Sequence, residues 1–234
     1  METRLFQELE RCKYHHLLIH GPPKSGRTSL LFQLLLNVAR QGKRVLMYSF
    51  TQFDRLPLLD CDSAQPAVHT LKYVTIMYPS SADELLRLLA CMHTEDKELL
   101  PCLIAIDDVE SFVLHKQGHE QLALLAKILS YAVDAAEFVS TAKAGSRDRG
   151  VDCNLLVTAA TRPSGPAPSV YGHWFPFTAH IQEMAASGSN KFQVVWSKSF
   201  TDTIGHESTT IQLGSYSLHP DGLLWDQSHD QRVP

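Results

Sequence analysis

The chain has 234 residues, of which 44% are hydrophobic, enough apolar material for one sizeable core and too little for two independent domains. Its formal net charge of −4 excludes a general positive field, so any nucleic-acid binding must use a local patch. The five cysteines form no CxxC pair, which predicts reduced thiols. The longest apolar stretch, Leu30 to Ala39, is too short to cross a bilayer, and we expect an intracellular protein that does not enter membranes.

In chain order, the apolar spacing first predicts a short entry helix at Leu5, Phe6 and Leu9, and then a glycine-bounded strand at Leu17 to Ile19. A helix follows from Thr28 and stops at Gly42, where glycine ends helices readily. Four more buried strands are predicted at Val45 to Ser49, Val74 to Met77, Leu103 to Ile106 and Leu155 to Thr158. This order predicts a mainly parallel α/β sheet flanked by helices.

Two further helices are predicted between these strands. Ser81 caps the first, Ala82 to His93, and the second spans Gln121 to Val139. The proline-rich segment from Arg162 to Trp174 predicts a mobile loop. Alternating residues at Lys191 to Ser199 and Thr209 to Leu218 then predict an antiparallel C-terminal edge. We expect one domain over residues 1–225 and a disordered polar tail over 226–234.

A phosphate-binding loop is predicted where the first strand meets the first helix. The stretch fits GxxxxGK[ST] except that arginine replaces lysine, and the predicted nucleotide-binding residues are Gly21, Pro22, Pro23, Lys24, Ser25, Gly26, Arg27, Thr28 and Ser29. Its glycines let backbone N–H groups surround phosphate oxygens at the positive end of a helix. An ordinary strand-to-helix turn is the alternative, and Lys24 either contacts phosphate or is a solvated surface lysine. The flanking apolar strand and helix favour the phosphate loop.

A magnesium site is predicted where the strand at Leu103 to Ile106 ends in two acids. Asp107 is the predicted magnesium residue, together with the Thr28 hydroxyl, because Mg²⁺ prefers carboxylate and other oxygen ligands. Asp108 is interpreted as a cap or structural acid. Apolar strands also end in Asp simply because Asp begins turns, so the distance from the phosphate loop carries the interpretation.

Loop residues supply the only candidates for contact with nucleic acid. The predicted DNA-binding residues are Arg147, Arg149, Arg162, Tyr171 and Trp174. Further candidates are Lys143 in the first of these loops, His173 beside Trp174, and a separate cluster of His115, Lys116 and His119. All of these positions could equally be solvated surface groups. No HExxH or paired Cys/His spacing occurs, and we predict no zinc site.

Together with these motifs, two segments point to a known family: the run from Tyr78 to Leu89 and the run from Ser217 to Asp226. The chain resembles the vertebrate SWIM-type zinc-finger-associated proteins, a family of divergent recombinase paralogues. The resemblance implies a RecA-like P-loop domain that uses ATP and Mg²⁺. It further implies a nuclear protein of homologous recombination and DNA repair. Such a protein would pair with a SWIM-type zinc-finger subunit in a Shu-like complex and support a recombinase and its paralogues on single-stranded DNA.

The hydrolytic residues depart from the pattern that this resemblance implies. Relatives keep lysine where this chain has Arg27, and RecA-like enzymes place a glutamate just after the second strand. Gln52 is the candidate there, since it can orient a water although it cannot take a proton, and Asp54 is a possible substitute. Glu110 is a further candidate and could equally be a surface residue of a helix or loop. Thr161 either senses the third phosphate or begins a loop. We therefore predict a slow DNA-stimulated ATPase or, alternatively, a non-enzymatic scaffold; a small-molecule kinase ranks last because no helical lid is predicted.

Overall fold

The computed structural model describes residues 16–59, 66–144, 153–162, 168–184, 190–199 and 208–226. The predicted entry helix lies outside these ranges, as do Arg147, Arg149 and all of the predicted tail except Asp226. Within the described ranges no helix is both long enough and apolar enough to cross a membrane. Cys91, Cys102 and Cys153 are free thiols, and the remaining two cysteines fall outside the described residues.

One sheet organises the described chain. Its strands are β1 (His16–Gly21), β2 (Val45–Ser49), β3 (Val74–Met77), β4 (Leu103–Asp107), β5 (Asn154–Ala160), β6 (Phe177–Glu183), β7 (Lys191–Ser199), β8 (Ser208–His219) and β9 (Gly222–Trp225). Their order across the sheet is β3-β2-β4-β5-β1-β6-β7-β8-β9. Pairings from β3 to β6 are parallel, and those from β6 to β9 are antiparallel. The predicted fold class, a mainly parallel sheet with an antiparallel C-terminal edge, is confirmed.

Helices cover both faces of the parallel part. They are α1 (Arg27–Arg40), α2 (Val68–Leu71), α3 (Ala82–Ala90) and α4 (Gly118–Ala144). Because successive strand residues point to opposite faces, Leu17 and Ile19 of β1 pack in one core cluster with α1. Leu18, between them, packs in the other cluster with α3 and α4. The sheet is therefore buried on both sides, as parallel sheets require.

Helix boundaries agree with the predicted signals at several ends. The Ser81 hydroxyl accepts a hydrogen bond from the Glu84 amide at the start of α3. The end of α1 is followed by Gly42 in the left-handed conformation, with φ +76°. The predicted helix Ala82 to His93 is divided, because a 3-10 turn over Cys91–Thr94 replaces its last part. The helix predicted at Gln121 to Val139 extends to Gly118–Ala144.

The predicted mobile loop and the predicted tail both contain ordered residues. A 3-10 turn spans Pro168–His173, and Tyr171 and Phe175 are buried in the cluster that covers α4. Asp226 was assigned to the tail, yet its amide donates to the Ser215 carbonyl and its carboxylate accepts from the Ser215 hydroxyl. Within the predicted loop, the Tyr171 ring is fixed by burial, and Asp226, the first residue of the predicted tail, is fixed by its contacts with Ser215 of β8.

Candidate nucleotide-binding site

The phosphate loop connects β1 to α1 through a tightly confined backbone. Gly26 has φ +84° and Lys24 has φ +62°, both in the left-handed region. A non-glycine residue held there costs free energy, and such strained residues cluster at functional sites. Gly21 passes so close to β6 that an added Cβ would lie 2.7 Å from Ile181 Cβ. Glycine at position 21 is therefore required by packing, whereas glycine at position 26 is required by the backbone angle.

The start of α1 is arranged to receive an anion. Gly26 precedes the helix without a side-chain cap, and the first turn carries no acidic residue. The first amides of a helix have no intrahelical acceptor, and the helix dipole places positive charge there. The Ser25 hydroxyl is also buried in the loop without a hydrogen-bond partner. These groups fit the phosphates of a nucleotide, which would supply the missing acceptors.

A hydrogen bond from the C-terminal strands supports the same loop. The Tyr216 hydroxyl of β8 donates to the Ser25 carbonyl oxygen, and both residues are buried. Tyr216 also stacks on Phe192 of β7, with ring centroids 5.7 Å apart. Sequence reasoning did not identify this contact, because the two residues are 191 positions apart. The antiparallel edge therefore helps to shape the phosphate loop.

The predicted magnesium residues lie together. The Thr28 hydroxyl is 3.1 and 3.0 Å from the two carboxylate oxygens of Asp107. Thr158 of β5, which was not predicted, donates to Asp107 Oδ1 at 2.8 Å. Burial raises the pKa of Asp107 to about 6, while the hydrogen bonds from Thr158 and Thr28 act in the opposite direction. A divalent cation would favour the ionised carboxylate, so Thr28 and Asp107 fit Mg²⁺.

Arg27 turns back across the loop. Its Nη1 group donates to the carbonyl oxygen of Gly21 at 2.8 Å and also to that of Pro22. Its Nη2 atom lies 3.7 Å from Asp108 Oδ1, and its buried Nε has no hydrogen-bond partner. Burial lowers the pKa of Arg27, and the nearby carboxylates of Asp108 and Asp107 oppose that effect. The positive charge is therefore at the loop but is engaged by the chain itself.

Asp108 joins this loop to the end of β5. Arg162 Nη2 donates to Asp108 Oδ2 at 3.1 Å, so one carboxylate faces two guanidinium groups. Arg162 was predicted to contact DNA, but the structure places its side chain in this cluster, with 27% exposed. Asp108 itself has φ +46°, and its amide donates to the Thr158 hydroxyl. The interpretation of Asp108 as a structural acid agrees with these contacts.

The two residues that were predicted to stack on DNA bases, Tyr171 and Trp174, both hydrogen-bond to other side chains of the protein. Tyr171 is only 2% exposed, and its hydroxyl donates to Glu110 Oε1 at 2.6 Å. The prediction that Tyr171 stacks on a base is wrong for this structure, because its ring and hydroxyl are both buried. Trp174 is half-buried, and its Nε1 donates to the Ser130 hydroxyl at 3.3 Å. The Trp174 role stays a prediction.

Glu110 is a buried acid, contrary to the alternative that placed it on the surface. It is 1% exposed, and its second oxygen, Oε2, has no hydrogen-bond partner. Burial raises its pKa, and the hydrogen bond from Tyr171 acts in the opposite direction. Since an unpaired buried carboxylate is costly, the Tyr171 hydroxyl is the contact that makes this position tolerable.

The Tyr171→Phe variant should lose about 2 kcal/mol of unfolding free energy at pH 7, because neither Glu110 oxygen would then accept a hydrogen bond. Without the hydroxyl, the raised pKa of Glu110 rises further, and the folded state binds a proton more readily than the unfolded state. The loss should therefore shrink as the pH falls toward about 5. Urea unfolding at both pH values measures this, with the exposed Tyr78→Phe as control. A variant as stable as wild type at pH 7 would contradict the account.

The remaining predicted residues occupy more open positions. Gln52 and Asp54 are exposed on the loop after β2, and a catalytic role for Gln52 stays a prediction. Lys24 is exposed as well, which leaves both of its interpretations open. The Thr161 amide donates to the Gly21 carbonyl at 2.8 Å, so this residue braces the start of the phosphate loop. Lys116, from the second basic cluster, pairs with Glu120 at 3.4 Å.

Two stacked histidines flank the loop on the neighbouring strands. His20 of β1 and His180 of β6 are register partners, and their ring centroids lie 4.2 Å apart. His20 Nδ1 is 3.3 Å from the Thr161 hydroxyl oxygen. Across the described ranges, no group of three or more His, Cys, Asp or Glu side chains could hold a metal ion.

The sheet order, the phosphate loop and the Thr28–Asp107 pair define a RecA-like P-loop domain. A crystal structure of the RadB recombinase has the same fold, with a TM-score of 0.55, 14% identity and 89% of each chain covered. Among sequence relatives, ATPase SWSAP1 of Mus musculus is 29% identical over 169 residues, covering 71% of this chain and 58% of that protein. ATPase SWSAP1 of Homo sapiens is 30% identical over 147 residues, covering 62% and 60%.

The chain is thus a homologue of the proteins named ATPase SWSAP1, and the resemblance to SWIM-type zinc-finger-associated proteins is confirmed. It spans about 60% of the length of these curated relatives. No family model matches the sequence.

Proposed function

We propose that this protein is a recombinase-paralogue-like accessory factor of homologous recombination that binds ATP with Mg²⁺. The observation that carries the proposal is the uncapped start of α1, with Thr28 and Asp107 in contact beside it. The homologues named ATPase and the RecA-like fold support the same nucleotide chemistry. The phosphates would lie on the loop Gly21 to Ser29, and the cation would be held by Thr28 and Asp107.

The proposal extends to partners and location through the family resemblance. The protein would act in the nucleus with a SWIM-type zinc-finger subunit and would support recombinase filaments on single-stranded DNA during repair. Sequence-independent contact with that strand would use Arg147 and Arg149, with Trp174 available for stacking on a base. Arg162 and Tyr171 are left out of this DNA surface, because their polar groups contact Asp108 and Glu110.

Turnover by this site is proposed to be slow. The position normally held by a compact ammonium is taken by Arg27, whose planar guanidinium is directed at loop carbonyls and Asp108. The water-orienting candidate Gln52 carries no basic group that could accept a proton. Placement of charge in the transition state should therefore suffer more than binding of the ground state.

The proposal is tested by replacing Arg27 with lysine and with alanine. Arg27→Lys should bind ATP about as well as wild type and hydrolyse it about tenfold faster, because about 1.4 kcal/mol of transition-state stabilisation is recovered. Arg27→Ala should weaken ATP binding, since it removes the positive charge from the loop. Binding is measured by calorimetry with Mg²⁺, and hydrolysis by phosphate release with and without single-stranded DNA and the zinc-finger partner.

An exposed arginine supplies the matched control for these variants. Arg40 is exposed at the far end of the same helix α1, where its Nη1 donates to Asn37 Oδ1 at 2.9 Å, and Arg40→Lys should change neither measurement. Brisk wild-type hydrolysis that lysine does not improve would show that Arg27 is catalytically competent. Absence of saturable ATP binding by the wild type would remove the nucleotide part of the proposal.

A non-enzymatic scaffold is the second candidate, and one observation favours it. Arg27 already satisfies the carbonyls of Gly21 and Pro22, so the loop is closed by a residue of the chain itself. In that case the phosphate loop would serve only the fold, and nucleotide would produce no rise in melting temperature. A rise that saturates with ATP concentration would reject the scaffold, because a ligand that binds only the folded state stabilises it.

A further inference from the structure

We propose that the Asp108 carboxylate is an internal competitor of nucleotide phosphate, holding Arg27 and Arg162 until a nucleotide displaces it. The inference rests on the proposed function and deepens it, since it assigns a regulatory role to a residue of the same site. Asp108 Oδ1 lies 3.7 Å from Arg27 Nη2, and Asp108 Oδ2 lies 3.1 Å from Arg162 Nη2. The single Asp108 carboxylate therefore pairs with two guanidinium groups beside the phosphate loop.

The carboxylate is held in position by its own backbone and neighbours. Asp108 adopts φ +46°, and its amide donates to Thr158. The Ser111 hydroxyl donates to Asp108 Oδ2 from the following 3-10 turn, Val109–Phe112. A carboxylate held by these two hydrogen bonds cannot follow the guanidinium groups if they turn toward another anion. The arginines, on long flexible stems, are the groups that would move.

The contact between Asp108 and Arg27 is incomplete, which makes it exchangeable. Its 3.7 Å separation exceeds hydrogen-bond length, and neither Asp108 Oδ1 nor Arg27 Nε has a hydrogen-bond partner. A phosphate group carries more charge than a carboxylate and accepts paired N–H bonds from a guanidinium. Nucleotide phosphates would therefore replace a weak ion pair by a stronger one. Until they do, the Asp108 charge repels them.

The sign of the effect separates this role from two others. A carboxylate that competes with phosphate lowers nucleotide affinity, so its removal tightens binding. If Asp108 instead held Mg²⁺, its removal would weaken binding, and if it were only structural, affinity would not change. Asp108→Asn is the informative substitution because asparagine tolerates positive φ and keeps the side-chain shape while losing the charge. Asp108→Gly makes the same removal and suits the backbone angle.

The test is a calorimetric titration of the full chain with ATP and Mg²⁺. Asp108→Asn and Asp108→Gly should each bind about tenfold more tightly than wild type, the effect of one nearby like charge at a partly exposed site. Asp134→Asn, which removes an exposed carboxylate on α4, is the control and should bind like wild type. Adding Arg162→Gln to Asp108→Asn should reverse part of the gain, because one of the released guanidinium groups is then absent.

Each result decides the proposal. Tighter binding by both Asp108 variants, with the Asp134 control unchanged, supports the competitor role. Equal or weaker binding overturns it and leaves the proposed function intact, provided that the wild type binds. If neither the wild type nor the Asp108 variants bind ATP, the proposed function and this inference fall together. Melting curves without nucleotide establish that the variants are folded, and the glycine variant serves if asparagine fails to fold.

Discussion

The Gly21→Ala variant should lose about 3 kcal/mol of unfolding free energy, the largest single-methyl effect expected in the phosphate loop. The added Cβ would lie 2.7 Å from Ile181 Cβ and 2.9 Å from the Ile181 carbonyl oxygen. Neither atom belongs to the end of a flexible side chain, so the parallel pair β1–β6 would have to separate. Chemical unfolding measures the loss, and ATP binding should weaken because the same movement displaces the loop.

Two other glycines provide the comparison. Gly26→Ala should cost only about 1–2 kcal/mol, because its φ of +84° is unfavourable for alanine while its nearest contact is the flexible Leu218 side chain at 3.0 Å. Gly172→Ala is the control, since an added Cβ there meets nothing within 4 Å. If Gly21→Ala were as stable as Gly172→Ala, β6 would not lie against the loop as described.

The second large effect concerns acid stability. As the pH falls from about 6.5 to about 4, the buried His20 should lower the free energy of unfolding by about 3 kcal/mol. Burial, together with the smaller effects of the neighbouring His180 and Arg27, lowers the pKa of His20 from 6.5 to about 4. In this window the unfolded chain binds a proton at His20 and the folded chain does not. Stability therefore rises with pH across the window and is lost as the pH falls.

Replacing His20 with phenylalanine isolates this contribution. The ring is kept for stacking on His180, and only the weak contact with the Thr161 hydroxyl, at 3.3 Å, is removed. The difference in unfolding free energy between pH 7.5 and pH 4 should be smaller in the variant by about 3 kcal/mol. His119→Gln, which changes an exposed histidine of α4, controls for loss of an imidazole as such. Parallel pH curves for wild type and His20→Phe would contradict the assignment.

Much of the order of strands and helices along the chain could be predicted from the sequence, because it depends on local patterns of residues. The strands at Leu17, Val45, Val74, Leu103 and Leu155 are short apolar runs bounded by turn residues, and each is found within a sheet strand. Strand β6 was missed because Phe177–Glu183 mixes polar and apolar residues, and its pairing with β1 is not a local property. Its omission also concealed why position 21 must be glycine.

The candidate site could be predicted in part, because some of its residues lie in contiguous sequence motifs. A loop motif and an acid-ended strand are contiguous in sequence, so Thr28 and Asp107 could be named from spacing alone. Thr158 lies opposite Asp107, one step beyond the register pair of Ile106 with Val157, and that register exists only in the assembled sheet. The burial of Tyr171 likewise depends on Glu110, which is 61 residues away.

By itself, the sequence determined the alternation of strands and helices, the phosphate loop and the change from lysine to Arg27, since each is written in consecutive residues. Only the tertiary structure determined which groups the charged side chains contact. It directed Arg27 toward loop carbonyls, paired Arg162 with Asp108 instead of leaving it on a loop surface, and buried the Tyr171 hydroxyl against Glu110. Side-chain partners depend on strand order and register, which bring distant residues within hydrogen-bond distance, and spacing along one chain does not encode that distance.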